Sequence, residues 1–191
     1  MKLLITGFEP FDGKTVNPSW EAVRLLPDRI GKYEVNKLKI PTVYGAAARM
    51  VMEKARETDA DVIISVGQAG GRDAVTPERI AVNIRDAKIP DNAGVLCRGQ
   101  RVLPEGPAAF FSTLPVEEMS QAIRDGGIPS AVSNTAGCYV CNDVLYTLLN
   151  KYAGTPVRVG FIHVPYLPEQ GTPNLPLEQT VKALETAILA L

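Results

Sequence analysis

Three short apolar runs set the terms for this chain: Lys2-Leu3-Leu4-Ile5-Thr6, Asp61-Val62-Ile63-Ile64-Ser65-Val66, and Val157-Arg158-Val159-Gly160-Phe161-Ile162-His163-Val164. They are rich in β-branched residues and too short for core helices, and they lack the strict polar alternation of a sheet with one wet face. Strands of this kind are covered on both sides, which calls for helices above and below. The expected fold is α/β: a single three-layer α/β/α domain over residues 1–191 with a largely parallel, mixed twisted sheet. A length of 191 residues, 46% hydrophobic and 21% charged, suffices for one continuous core.

Helical patterns fall between the strands as that architecture demands. Asn17-Pro18 reads as an N-cap and first helical residue, opening a helix that ends near Pro27. Tyr33 to Ile40 alternates like a strand, and Ala48, Val51, Met52 and Ala55 share one helical face. After Gly67 the pattern loosens. Arg79 to Ile84 and Val95 to Val102 read as irregular strands around the turn Pro90-Asp91-Asn92-Ala93-Gly94. Glu117 to Asp125 reads as a helix closed by Gly126-Gly127, Ala131 to Ser133 as a short strand, and Asn142 to Lys151 as a helix. Leu177, Val181, Leu184, Ile188 and Leu191 recur at helical spacing and form a core stripe. Pro165 to Pro176 is read as an ordered surface loop.

The formal net charge is −1 with no basic run, which argues against nucleic acid or an anionic membrane as partner. No apolar run approaches the ~20 residues that a spanning helix needs. The opening Met1-Lys2-Leu3-Leu4-Ile5-Thr6-Gly7 reaches glycine before a signal-peptide core forms, and three cysteines cannot all pair within the chain. The expectation is a cytoplasmic protein with reduced thiols and a small or peptidic ligand.

His163 is the only histidine, so a base titrating near neutral pH must be this residue. It lies near the C-terminal end of an apolar strand, the edge at which open α/β sheets place their crevices. A buried, hydrogen-bonded core histidine would occupy the same position. Ser133-Asn134-Thr135-Ala136-Gly137-Cys138-Tyr139-Val140-Cys141-Asn142 runs from a strand through a glycine turn into a helix, with Cys141 near the helix N-terminus. Free N–H groups there favour a thiolate and can receive an oxyanion. Glu78 leaves the end of another buried strand, where a carboxylate can fix a histidine tautomer, although beside Arg79 it also reads as a solvated loop charge.

Cys138 and Cys141 also form a C-x-x-C pair, open to a redox dithiol or half of a zinc site. A thioredoxin-like pair would sit in the first βα connection of a shorter domain, and zinc lacks a second pair and a second histidine. Gly67-Gln68-Ala69-Gly70-Gly71 matches neither phosphate-binding glycine motif. No metal and no cofactor is expected.

Taken together, Gly7-Phe8-Glu9-Pro10-Phe11, Thr76-Pro77-Glu78-Arg79-Ile80-Ala81-Val82-Asn83, Ala136-Gly137-Cys138-Tyr139-Val140-Cys141-Asn142 and His163-Val164-Pro165 resemble the pyroglutamyl peptidase I family of cysteine peptidases, also called pyrrolidone-carboxylate peptidases. The resemblance implies Cys141, His163 and Glu78 as a triad, leaves Cys138 at a variable position, and implies N-terminally pyroglutamylated peptides as substrates. Phe8 and Phe11 suit the walls of a pocket for a compact lactam, the resemblance adds Tyr139, and Gln68 and Asn17 are candidate polar neighbours, though Asn17 also reads as a helix cap. Where the family carries an arginine near the reacting carbonyl this chain has Lys88, with Arg85 as a substitute. The resemblance further implies a homo-oligomer, commonly a tetramer. A C-x-x-C oxidoreductase and a non-catalytic lactam or peptide binder are the alternatives.

Overall fold

The computed structural model describes residues 1–191. In chain order the elements are β1 (Lys2–Phe8), α1 (Pro18–Leu25), β2 (Arg29–Ile30), β3 (Tyr33–Ile40), α2 (Ala46–Thr58), β4 (Val62–Gln68), β5 (Thr76–Pro77), β6 (Ile80–Val82), β7 (Ala109–Phe111), α3 (Val116–Asp125), α4 (Val140–Tyr152), β8 (Arg158–Val164) and α5 (Leu177–Leu189), with a 3-10 turn at Pro168–Gln170. The main sheet runs β2-β3-β1-β4-β8-β5. Its four long strands are parallel, and the two-residue strands β2 and β5 close the edges antiparallel. The expected mixed, largely parallel sheet is therefore present.

Side-chain alternation divides the core between the two faces of the sheet. Leu3, Ile5, Ile64, Val66 and Ile162 face α1, α3 and α5, against Val23, Ile123 and Leu184. Leu4, Ile63, Val159 and Phe161 face α2 and α4, against Val51, Leu145 and Leu148. Strands buried on both sides read as continuous apolar runs, which is why β1, β4 and β8 were visible in the sequence.

Two expectations need correction, and one pairing goes beyond what was expected. Val95 to Val102 forms no strand: only Gln100 makes an antiparallel bridge, to Arg85, while Val95 and Leu96 are exposed and Gly94 and Gly99 take positive φ. Ala131 to Ser133 likewise forms no strand: Ser133 makes one isolated bridge, to Glu78, and Ser130 just before the segment makes another, to Val75. The short β6–β7 pair was only half foreseen, because the three residues of β7 are too few for an alternation to register. No helix is long and apolar enough to cross a membrane.

Candidate active site

The C-terminal ends of β1, β4 and β8 open into one pocket of about 260 Å³. His163 shares sheet-face parity with Phe161, so its side chain points toward α4, the helix that carries Cys141. Across the ladder His163 pairs in register with Gly67, and a Cβ at Gly67 would come within 3.0 Å of the Cys141 sulfur and 2.8 Å of the Phe161 ring. The thiol therefore packs on bare backbone one strand away from the histidine, an approach that only glycine permits.

Glu78 follows β5, the edge strand on β8, and is fully buried. Its Oε1 lies 2.7 Å from Nδ1 of His163. The same oxygen accepts from Nη1 of Arg72 at 2.7 Å. Arg72 also donates to the Thr76 hydroxyl at 2.6 Å and to the Thr135 carbonyl at 2.9 Å, tying the loop after β4 to the loop before α4. Arg72 lines the pocket. It lies in the same glycine-rich segment as Glu78, yet no role was drawn for it from sequence, since an arginine in such a loop reads as a solvated charge.

Burial alone would raise the Glu78 carboxyl, but the hydrogen bonds and charges of His163 and Arg72 hold it below its ordinary range. It is an anion at neutral pH, so Nδ1 of His163 carries the proton and Nε2 is left as the basic nitrogen. Burial lowers His163 below the ordinary histidine value, with Glu78 pulling the other way and Arg72 reinforcing the shift. Cys141 is the second residue of α4, whose N-cap Tyr139 supplies no capping side chain. Burial pushes the Cys141 thiol up to about 12, helped by the Glu78 charge, while Arg72 and a backbone N–H pull it down. The helix end thus acts in the direction foreseen, but desolvation outweighs it.

Phe8, Phe11, Asn17, Gln68 and Tyr139 all line the same pocket, with Thr42 and the backbone of Ala136 and Gly137 completing it. The Tyr139 ring packs against Phe11 at 5.9 Å and edge-on against Tyr44 at 5.7 Å, and its hydroxyl donates to the Pro90 carbonyl. Asn17 does cap α1: its Oδ1 accepts from the Ser19 N–H at 3.1 Å and the Ser19 hydroxyl at 2.8 Å. Cys138 is not among the residues around the pocket, all three cysteines are free thiols, and no group of three metal-ligating side chains gathers anywhere in the chain.

Residues 1–191 match a family model described as pyroglutamyl peptidase. The chain belongs to that family. It is 50% identical over 198 residues to the pyrrolidone-carboxylate peptidase of Levilactobacillus brevis, covering 100% of this chain and 97% of that protein. Pyroglutamyl peptidase I from Bacillus amyloliquefaciens superposes with a TM-score of 0.96 at 43% identity, over 99% of this chain and 93% of that one. Pyrrolidone carboxyl peptidase from Thermococcus litoralis gives a TM-score of 0.94 at 37% identity, over 99% and 92% of the two chains.

Within this pyroglutamyl peptidase fold the remaining expected cations differ in their surroundings. Lys88 is exposed and is not among the residues that line the pocket. Arg85 is no free substitute: its guanidinium pairs with the buried Asp143, with Nε 2.7 Å from Oδ1, and lies over the Tyr44 ring. The cation that does reach the pocket of this pyroglutamyl peptidase family member is Arg72.

Proposed function

We propose that this chain is a cysteine exopeptidase that hydrolyses the bond after an N-terminal pyroglutamyl residue through an acyl-enzyme, with Cys141 as nucleophile, His163 as acid–base group and Glu78 as its orienting partner. The observation that carries the reading is the 2.7 Å His163–Glu78 contact beneath a pocket that also exposes Cys141. Family membership supports the reaction class. His163 Nε2 takes the thiol proton as the sulfur attacks the carbonyl that follows the lactam ring, and the resulting imidazolium is stabilised by ionised Glu78. The same proton then goes to the departing amine, and water, activated by neutral His163, hydrolyses the thioester. Unpaired N–H groups at the start of α4, whose N-cap supplies no side-chain partner, are suited to the oxyanion.

The pocket favours a small uncharged ring. Phe8, Phe11 and Tyr139 offer apolar walls, and a few amides offer polar contacts. An open glutamyl chain would bring an unpaired charge, and a prolyl ring would leave the pocket's hydrogen-bonding groups unpaired. The same proposal includes a homo-oligomer, commonly a tetramer in the family, and a reducing, cytoplasmic setting in keeping with an odd number of cysteines.

The test is coumarin release from pyroglutamyl-, prolyl- and glutamyl-aminomethylcoumarin by wild type, Cys141→Ala and Cys138→Ser. Selective pyroglutamyl turnover, lost in Cys141→Ala and kept in Cys138→Ser, is the expected outcome. Activity surviving in Cys141→Ala sinks the nucleophile assignment, and loss in both variants would favour the C-x-x-C alternative.

A further inference from the structure

Gln170 stands outside the pocket, at the end of the 3-10 turn, yet its side chain reaches Gln68 on the pocket wall, 102 residues away in sequence. Both ends of its amide are held by backbone. The Leu167 N–H donates to Oε1 at 2.9 Å, and Nε2 donates to the Val16 carbonyl at 3.2 Å. A backbone N–H only donates and a carbonyl only accepts, so the Gln170 amide has a single orientation. In that orientation Nε2 also donates to Oε1 of Gln68 at 3.1 Å. That bond fixes which end of Gln68 is the oxygen, and its Nε2, whose two N–H groups have no protein partner, is the donor left for a ligand.

We propose that Gln170 is a positioning residue that fixes Gln68 as a hydrogen-bond donor to the ring carbonyl of a bound lactam. The inference rests on the pyroglutamyl reading of the pocket. The two ends of a glutamine amide are nearly identical in shape, so sterics alone do not choose between them. A reversed Gln68 would set its oxygen against the lactam oxygen, leaving two acceptors facing each other without a proton between them. Asn17, the other amide on the wall, is more fully engaged, with Oδ1 accepting twice from Ser19 and one of its two Nδ2 hydrogens donated to the Glu9 carbonyl at 3.0 Å. Gln68 is thus the wall amide with both N–H groups left to discriminate a lactam from a ring without the carbonyl, and its direction falls to a residue that touches no ligand.

The experiment is a double-mutant cycle of Gln170→Glu with Gln68→Met, with Gln170→Met as a neutral control. It is read as KM and kcat on pyroglutamyl-aminomethylcoumarin, as the dissociation constant of 2-pyrrolidone, and as melting temperature. A carboxylate at 170 still accepts from Leu167 but cannot donate, so it draws Nε2 of Gln68 toward itself and turns the oxygen into the pocket. Gln170→Glu should raise KM and weaken 2-pyrrolidone by about tenfold or more, with a smaller change in kcat and a larger loss than in Gln170→Met. In the Gln68→Met background both substitutions should lose this effect. Equal losses in the two backgrounds, or an unchanged 2-pyrrolidone affinity in folded Gln170→Glu, would overturn the proposal and leave Gln170 as an anchor of its loop. If Gln170→Glu does not fold, the Gln170→Met cycle decides by the same criterion. Wild type that binds 2-pyrrolidone but releases no coumarin would refute the hydrolytic reading alone, with the affinity cycle still deciding Gln170. Wild type that binds no 2-pyrrolidone refutes the Gln170 proposal.

Discussion

Burial and charge pull against each other at the two groups that share the pocket. The Cys141 thiol is pushed up to about 12 and His163 is held low, so at neutral pH they rest as thiol and imidazole rather than as an ion pair. A lowered histidine pKa means that the neutral base survives further into acid. The acid limb of kcat/KM should therefore fall below about 6.5, the ordinary histidine value. A raised thiol pKa has the opposite consequence for alkylation. In a Cys97→Ser, Cys138→Ser protein, iodoacetamide should react slowly with Cys141 at neutral pH, with a rate that climbs about tenfold per pH unit and shows no plateau by about pH 9, and an inflection near neutrality would contradict the neutral resting pair. Arg72 can be tested against the same profile. Its positive charge depresses His163, so Arg72→Met should move the acid limb upward and lower kcat/KM by about 10- to 100-fold, whereas an unmoved limb would leave Glu78 alone in control. Cys141 and His163 could be singled out in the sequence because one begins a helix after a glycine turn and the other is unique. Arg72 could not, because what distinguishes it is a set of partners up to 63 positions away.

Helix α4 does more than present a cysteine. Asn142, fully buried beside it, accepts from the Val82 N–H at 2.9 Å and donates to the carbonyls of Val82 at 2.8 Å and Ile84 at 3.0 Å. It serves as a strand-like partner for β6, so the helix and the segment following Glu78 are joined by side chain rather than by ladder. Asn142→Ala should destabilise the protein by about 2–4 kcal/mol, read from urea unfolding, because the Val82 N–H and the Ile84 carbonyl lose the amide at once and the Val82 carbonyl keeps only the Ile84 N–H. A loss within about 0.5 kcal/mol would mean that water replaces the amide. Elements of this kind mark the limit of sequence reading. β1, β4 and β8 carry their environment in their own apolar composition, whereas β5, β6 and β7 exist through partners supplied by other parts of the chain. Val95 and Leu96 look like strand residues but sit between two glycines of positive φ, Gly94 and Gly99, and stay exposed.

At the scale of the whole molecule, the two apolar clusters are not independent. Both draw on alternate residues of β1, β4 and β8, so the same strands back both helical layers, and disrupting those strands dissolves both clusters together. Thermal unfolding should therefore be a single transition with equal calorimetric and van't Hoff enthalpies, and two resolved transitions would argue against one cooperative unit. The layered architecture was legible because it follows from the period of apolar residues; the convergence of loops around the pocket was legible only in part, because it follows from their closure in space. The register that sets His163 opposite Gly67 gives the pocket a fixed floor, while Phe11 and Tyr139 stand on loops as walls. A protein engineer seeking a catalyst for a different N-terminal cap has those walls to redraw and the floor to leave alone.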